Sequence, residues 1–245
     1  MAQHRTARLV ATACIGPHAR LLTLALADGG ELGFSGGQYI IVNTGVELPG
    51  GKLARRAYSI LSEDRDQREF RIAVMRLADG PGSNQMHRLE AGAQLEFSGP
   101  WGKFVTTGVS RGPRLVFATD TGITAALGLM RAQASRALSD HTEAVWFVVS
   151  DDYFLSHRFA RRALDGLCGS FAVAPAPAVG DPSRVTRAMD VLEQILGRGL
   201  PAEAYLAGDG AVIHPLRERL LAAGVAHENI HLEAFFNNPQ RRAPV

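Results

Sequence analysis

Arg56, Tyr58 and Ser59 fall within the octapeptide RRAYSILS at residues 55–62, a strand-like run opened by two arginines. A guanidinium grips a phosphate through paired hydrogen bonds, and in an extended strand a tyrosine two residues on projects to the same side. The pair therefore suits a ligand that carries both a phosphate and a flat ring, and a flavin nucleotide offers both. In that arrangement Arg56 meets the pyrophosphate, Tyr58 lies against the isoalloxazine, and Ser59 hydrogen-bonds near the flavin N5. The same eight residues also read as an edge-strand arginine in a surface ion pair beside a core tyrosine, and the octapeptide alone does not choose.

A second stretch, DGPGSNQMH at residues 79–87, has the chemistry of an anion cradle. Gly80 and Gly82 let the backbone come close to a phosphate. Ser83 opens an apolar-periodic segment through Met86 and Leu89, which predicts a short helix whose start attracts anions. Ser83 is expected as its N-cap, a role compatible with phosphate binding.

These side chains need elements to hold them. Up to residue 108 the chain shows short alternating runs, RLVATA, LLTLALA, QYIIVN, RAYSILS, FRIAVMRL and AQLEFSG, punctuated by Gly, Pro, Asp and Asn. That texture predicts an antiparallel barrel or sandwich. Beyond GVSRGPR the pattern changes to compact apolar strands, RLVFAT, AVWFVVS, SFAVAP, AYLAG and NIHLEAF, alternating with helices near 124–137, 156–167, 185–197 and 212–223. Strand-helix alternation with short links implies a parallel sheet with ligand sites at the carboxyl ends of its strands. At 245 residues the chain accommodates two such domains, 1–108 and 109–245.

Composition excludes several classes. With 46% hydrophobic residues, 20% charged residues and a net charge of +2, nothing suggests disorder or a nucleic-acid partner. Two cysteines, Cys14 and Cys168, are too few for a zinc site or a thiolate-held iron–sulfur cluster. No run suits a signal peptide or a membrane span, so a cytoplasmic protein is expected. His87, His157 and His214 are scattered and read as surface or capping residues.

Taken in order, the motifs resemble the ferredoxin-NADP(+) reductase superfamily over nearly the whole chain. SGGQYIIV (35–42) is similar to its Gly-Gln-aromatic strand, Arg56-Ala57-Tyr58-Ser59 to its Arg-x-Tyr-Ser flavin motif, and DGPGSNQMH, after the strand AVMRL, to its Gly-x-x-Ser segment. GPWGKF (99–104) matches the turn that closes the flavin domain. The resemblance implies an antiparallel β-barrel flavin domain followed by an α/β parallel-sheet nicotinamide domain. It assigns the flavin to Arg56, Ala57, Tyr58, Ser59, Val74, Arg76, Gly80, Gly82 and Ser83. In HLEAFFNNPQRR the chain returns to the flavin, with Glu233 beside the ring and Phe236, rather than Phe235, covering its other face.

FATDTGITAALGLM (117–130) and AYLAGDGAVIHPLRERLLAAGV (204–225) resemble the nicotinamide turns, implicating Thr121, Gly122, Thr124, Gly208 and Asp209. Four positions depart from the family pattern. Asp120 replaces a glycine, Ala125 a proline, Ala207 a cysteine and Asp209 a proline. A carboxylate facing a diphosphate is repulsive by about 1 kcal/mol per charge pair near 4 Å in water, so Asp120 is expected to oppose nucleotide binding unless it caps the next helix. After AVWFVVS stand Asp151 and Asp152 where many members carry arginine. A carboxylate there meets a free ribose hydroxyl, which favours NADH over NADPH. Arg158, Arg161 and Arg162 reverse that preference if they face the site.

The implied activity is that of an FAD-dependent NAD(P)H reductase, with FMN the alternative flavin. It passes electrons to a separate redox protein such as a ferredoxin or an oxygenase component, with Lys52, Arg55, Lys103, Arg241 and Arg242 suited to an acidic partner. Two other readings stand beside it: a reductase using flavin as substrate, and a flavin-bearing electron-transfer subunit with impaired nicotinamide binding.

Overall fold

The computed structural model describes residues 4–106 and 112–235. Alternation in the first part produces six antiparallel strands: β1 (His4–Gly16), β2 (Ala19–Leu26), β3 (Tyr39–Leu48), β4 (Lys52–Ser59), β5 (Glu69–Met75) and β6 (Gln94–Trp101). They pair in the order β4-β3-β6-β1-β2-β5. An isolated bridge from Ile60 to Ile72 joins the two edge strands, so the sheet closes on itself as a barrel. Leu9, Leu22, Leu24, Val42, Ile72 and Phe97 fill its interior. Helix α1 (Pro81–Arg88) covers one end, packing on β3, β4 and β5.

The second part forms a parallel sheet from β7 (Arg114–Thr119), β8 (Thr142–Val148), β9 (Ser170–Pro175), β10 (Glu203–Asp209) and β11 (Ile230–Phe235), ordered β11-β10-β7-β8-β9. Every residue of β7 and β10 is buried, as expected of central strands covered on both faces. Strand order reverses between β7 and β10, which opens the crevice where ligands of such sheets bind. Helices α2 (Ile123–Arg131), α3 (Gln133–Arg136) and α4 (His157–Leu164) precede α5 (Arg184–Leu196) and α6 (Gly210–Ala222). α5 and α6 pack on the outer face of the sheet. α2 and α4 share a core with barrel residues Ile15, Ala19, Leu61 and Phe104, so one apolar cluster joins both sheets.

The single helix expected over 124–137 is instead two. Ala132 adopts an extended ψ of 141°, and the Asp64 carboxylate on the barrel accepts a hydrogen bond from Gln133 N at 2.9 Å. Capping from another domain ends α2 and starts α3, a tertiary effect that local periodicity does not carry. Gly224, at a φ of 102°, follows the last turn of α6 as anticipated.

Candidate functional site

On the barrel, β4 places Arg56 and Tyr58 on one face, the face that enters the core at Ala54 and Ile60. Arg56 is exposed, with no ion pair among the described residues, and its Nη1 donates to the Arg55 carbonyl at 2.8 Å. Tyr58 is half-buried against the barrel core, and burial pushes its hydroxyl well above the ordinary tyrosine value. The bland expectation of a core tyrosine is thus correct for part of its ring. Ala57 is exposed and Ser59 is buried.

The start of α1 lies next to this strand through β3. Arg56 pairs across with Val42, and two residues on, the Thr44 side chain lies 3.2 Å from the position a Cβ on Gly82 would take. Gly80 is the N-cap, with no side-chain cap and no acidic residue in the first turn. That corrects the expectation for Ser83. Its hydroxyl donates to the Gly80 carbonyl at 2.9 Å and accepts from Leu77 N at 3.1 Å, stapling the loop that enters the helix. Such a start presents the positive end of the helix dipole to an anion. On β5, Val74 is buried with its carbonyl held by His87 Nε2 at 2.9 Å. Arg76 lies over α1, its Nε donating to Asn84 at 3.1 Å.

Glu233 reaches the same region from β11. The position of a Cβ on Gly102 would be 3.2 Å from the Tyr39 ring and 3.3 Å from Glu233 Oε2, so the three converge. Tyr39 pairs with Ser59 across β3 and β4, which places it between the two predicted residues. Burial pushes the Glu233 carboxyl up to about 7. Burial and then the Glu233 charge raise the Tyr39 hydroxyl. Phe235 is half-buried and packs on the interdomain core. Phe236 lies outside the described residues.

Across the crevice, the turns after β7 and β10 touch. A Cβ on Gly122 would fall 2.3 Å from the Ala207 carbonyl oxygen, and one on Gly208, whose φ is 122°, would fall 2.3 Å from Thr119 Oγ1. Only glycine fits either place. Thr119 Oγ1 accepts from Asp209 N at 2.7 Å, and Thr124 Oγ1 donates to the Thr121 carbonyl at 2.9 Å. Asp209 caps α6 by accepting from Ala211 N at 2.8 Å.

Asp120 behaves differently from the expectation. Its φ of 47° puts it in the left-handed region, and its carboxylate turns inward, forming an ion pair with Arg184 Nη2. The same guanidinium reaches Asp209, with Nε to Oδ2 at 3.6 Å, and lies over the Phe147 ring at 5.4 Å. All three groups are buried. The carboxylate therefore neither caps the helix nor faces outward unopposed; one buried arginine at the start of α5 offsets both acids.

Comparison with known proteins fits this geometry. Residues 6–106 match the family of oxidoreductase FAD-binding domains. Ferredoxin–NADP reductase B of Sorangium cellulosum is 41% identical over 135 residues, covering 55% of this chain and 54% of that one. The chain is thus similar to a ferredoxin–NADP reductase over about half of its length. A further relative is the ferredoxin reductase component of the 3-ketosteroid-9-alpha-monooxygenase of Mycolicibacterium smegmatis, 26% identical over 89% of this chain and 61% of its own. Among solved structures, the Amycolatopsis cytochrome P450 reductase GcoB superposes with a TM-score of 0.75 at 22% identity, over 96% of this chain and 70% of that one. Phthalate dioxygenase reductase does so at 0.72 and 19%, over 97% and 70%. The chain spans less than two thirds of the length of either sequence relative.

A flavin nucleotide fits the residues present: an uncapped helix start without acids and an exposed guanidinium with no ion pair among the described residues flank a half-buried aromatic ring. Asp152 is exposed beyond β8, its carboxyl held below the ordinary value chiefly by the Ser150 hydroxyl. Arg158 and Arg162 line a groove with Arg131 at the far end of α2, and Arg161 lies over Phe171. Sequence reasoning missed Tyr39, Gly102 and Arg184 as site residues. Tyr39 had a signal, since it is the aromatic of the Gly-Gln-aromatic strand. Arg184 had none, being 64 residues from Asp120.

Proposed function

We propose that this chain is an FAD-dependent NAD(P)H oxidoreductase, with a flavin domain of residues 1–108 and a nicotinamide domain of 109–245, taking electrons from NADH in preference to NADPH. The observation that carries the reading is the crevice itself. Arg56, Tyr58, Ser59 and the start of α1 stand on one side, and the glycine-lined turns after β7 and β10 on the other, with Glu233 brought between them by β11.

Bound FAD would supply the chemistry, accepting two electrons as a hydride and releasing them singly. The chain's own residues position and exclude. Arg56 and the α1 start would hold the pyrophosphate, Val74 and Arg76 would flank it, and Tyr58 would fix the plane of the ring. Ser59 would offer its hydroxyl near N5, and Glu233 would hold or release a proton at its carboxylate close to neutral pH. Gly122 and Gly208 would allow the nicotinamide nucleotide to approach the backbone of Thr121 and Thr124. Arg184 would remove the repulsion that Asp120 and Asp209 otherwise exert on its diphosphate. Close placement of donor and acceptor makes the transfer effectively intramolecular.

The acceptor we propose is a separate redox protein, a ferredoxin or an oxygenase component, consistent with the names of the relatives. Anaerobic titration of the purified protein with NADH and then NADPH, monitoring the visible flavin band, tests the reading. Stoichiometric bleaching of bound flavin by NADH is expected. A flavin that neither nucleotide reduces would overturn it in favour of an electron-transfer subunit, and a protein purified without flavin would point to flavin as substrate.

A further inference from the structure

Between the barrel and the α/β domain, at the end of α2 remote from the nucleotide turn, lies an open groove of about 790 Å³. Four arginines line it: Arg71 on β5, Arg131 as the last residue of α2, and Arg158 and Arg162 on one face of α4. No aspartate or glutamate is among its lining residues. Among the described residues none of the four arginines forms an ion pair; the nearby Glu63 is engaged by Arg136 at 2.6 Å instead. Arg131 is half-buried and fixed, donating to the Leu61 carbonyl at 2.6 Å and to the Ala163 carbonyl at 3.3 Å. Burial and then the adjacent Arg71 charge lower its pKa, and Glu63 offsets this only in part.

A cluster of guanidinium groups with no ion pair among the described residues is a poor surface and a good receptor. Arginine forks match the oxygen geometry of phosphate. Apolar side chains, Leu21, Leu61 and Phe159, share the lining with the arginines. Guanidinium groups beside apolar side chains select a charged head joined to a hydrophobic body. The groove shares no residue with Arg56, Tyr58, Ser59, the start of α1 or the turns after β7 and β10. We infer that it is a separate binding site for a small organic phosphate, an anionic head on an apolar body, held between the two domains by Arg71 from one and by Arg131, Arg158 and Arg162 from the other.

The test uses the full-length flavin-loaded protein and 1-naphthyl phosphate as probe, followed by calorimetry. Saturable binding at one site per chain is expected, weakened at least about tenfold in the double variant Arg158→Gln/Arg162→Gln, the size of effect that charge-assisted hydrogen bonds produce. Arg71→Gln, on the opposite wall and in the other domain, is expected to weaken it too. Inorganic phosphate should compete and 1-naphthol should bind far more weakly, which shows that the head is read as an anion. NADH should not displace the probe, and anaerobic bleaching of the flavin by NADH should be unchanged in the double variant. The inference is overturned if the probe shows no saturable binding, if the variants bind it like the parent, or if NADH displaces it, which would assign it to the nucleotide crevice.

Discussion

Among single residues, the buried trio of Asp120, Arg184 and Asp209 decides whether the nucleotide crevice can work. Removing the Arg184 guanidinium would take away an ion-pair partner that both buried carboxylates share. Breaking a buried ion pair is destabilising, so Arg184→Gln should lower the thermal midpoint and weaken NADH binding while leaving the flavin domain loaded. Adding Asp120→Gly should restore part of the loss, since it removes one acid and relieves the left-handed strain of about 1–2 kcal/mol at that position. Equal NADH affinity in the parent and Arg184→Gln would disprove the neutralising role. Glu233 gives a second prediction. Its folded pKa of about 7 lies above the ordinary 4.5, so the folded state holds the proton more tightly than the unfolded chain does. Stability should therefore fall as pH rises from about 4.5 to about 7 and stay low above it, and Glu233→Gln should flatten that slope in melting curves. Arg56, Tyr58, Ser59 and Glu233 can be proposed from the sequence because each belongs to a short local motif. Arg184 cannot, since its role arises from a contact between chain segments that only the fold assembles.

At the level of elements, α2 is the hinge pin between the two sheets. Its residues from Ile123 to Met130 are all buried, because the parallel sheet covers one side and the barrel the other. Contact with the barrel is made through backbone: a Cβ on Gly128 would sit 2.2 Å from the Ile60 carbonyl oxygen, and one on Gly36 would sit 2.2 Å from the Gly128 carbonyl oxygen. A mid-helix glycine costs about 1 kcal/mol against alanine in an isolated helix, and the approach of the two backbones gives the reason Gly128 stands there. Gly128→Ala should thus destabilise despite its better helix propensity. Overpacking of this kind costs about 1–3 kcal/mol, or roughly 2–12 °C in a domain pair of this size. Ile60 adjoins Ser59, so flavin retention should fall with it. Thermal unfolding with flavin fluorescence as readout would separate the two effects, and a stabilised Gly128→Ala protein would refute the backbone contact. Strand identities and the two sheet types were readable from periodicity. The break between α2 and α3 was not, because Asp64 imposes it from the other domain.

Over the whole molecule, a net charge of +2 conceals uneven placement. Lys52, Arg55 and Lys103 are exposed on the flavin domain, two of them on β4 and the third beside Gly102; Arg241 and Arg242 lie outside the described residues. If electrons leave by this side to an acidic redox protein, the two halves of turnover should respond differently to salt. On the proposed function, hydride transfer from bound NADH would occur within the crevice, where screening matters little. Encounter with the acceptor depends on charges separated by solvent, and the Debye length shrinks from about 10 Å at 0.1 M to about 3 Å at 1 M. Reduction of an acidic ferredoxin should then slow several-fold over that range while anaerobic bleaching of the flavin by NADH stays within about twofold. Arg55→Glu together with Lys103→Glu should reproduce the high-salt rate at low salt. Both substitutions fall on exposed side chains outside the core, so the fold should tolerate them. An acceptor reaction equally fast in parent and variant at low salt would move the exit route to another face, and would leave the nucleotide half of the proposal intact.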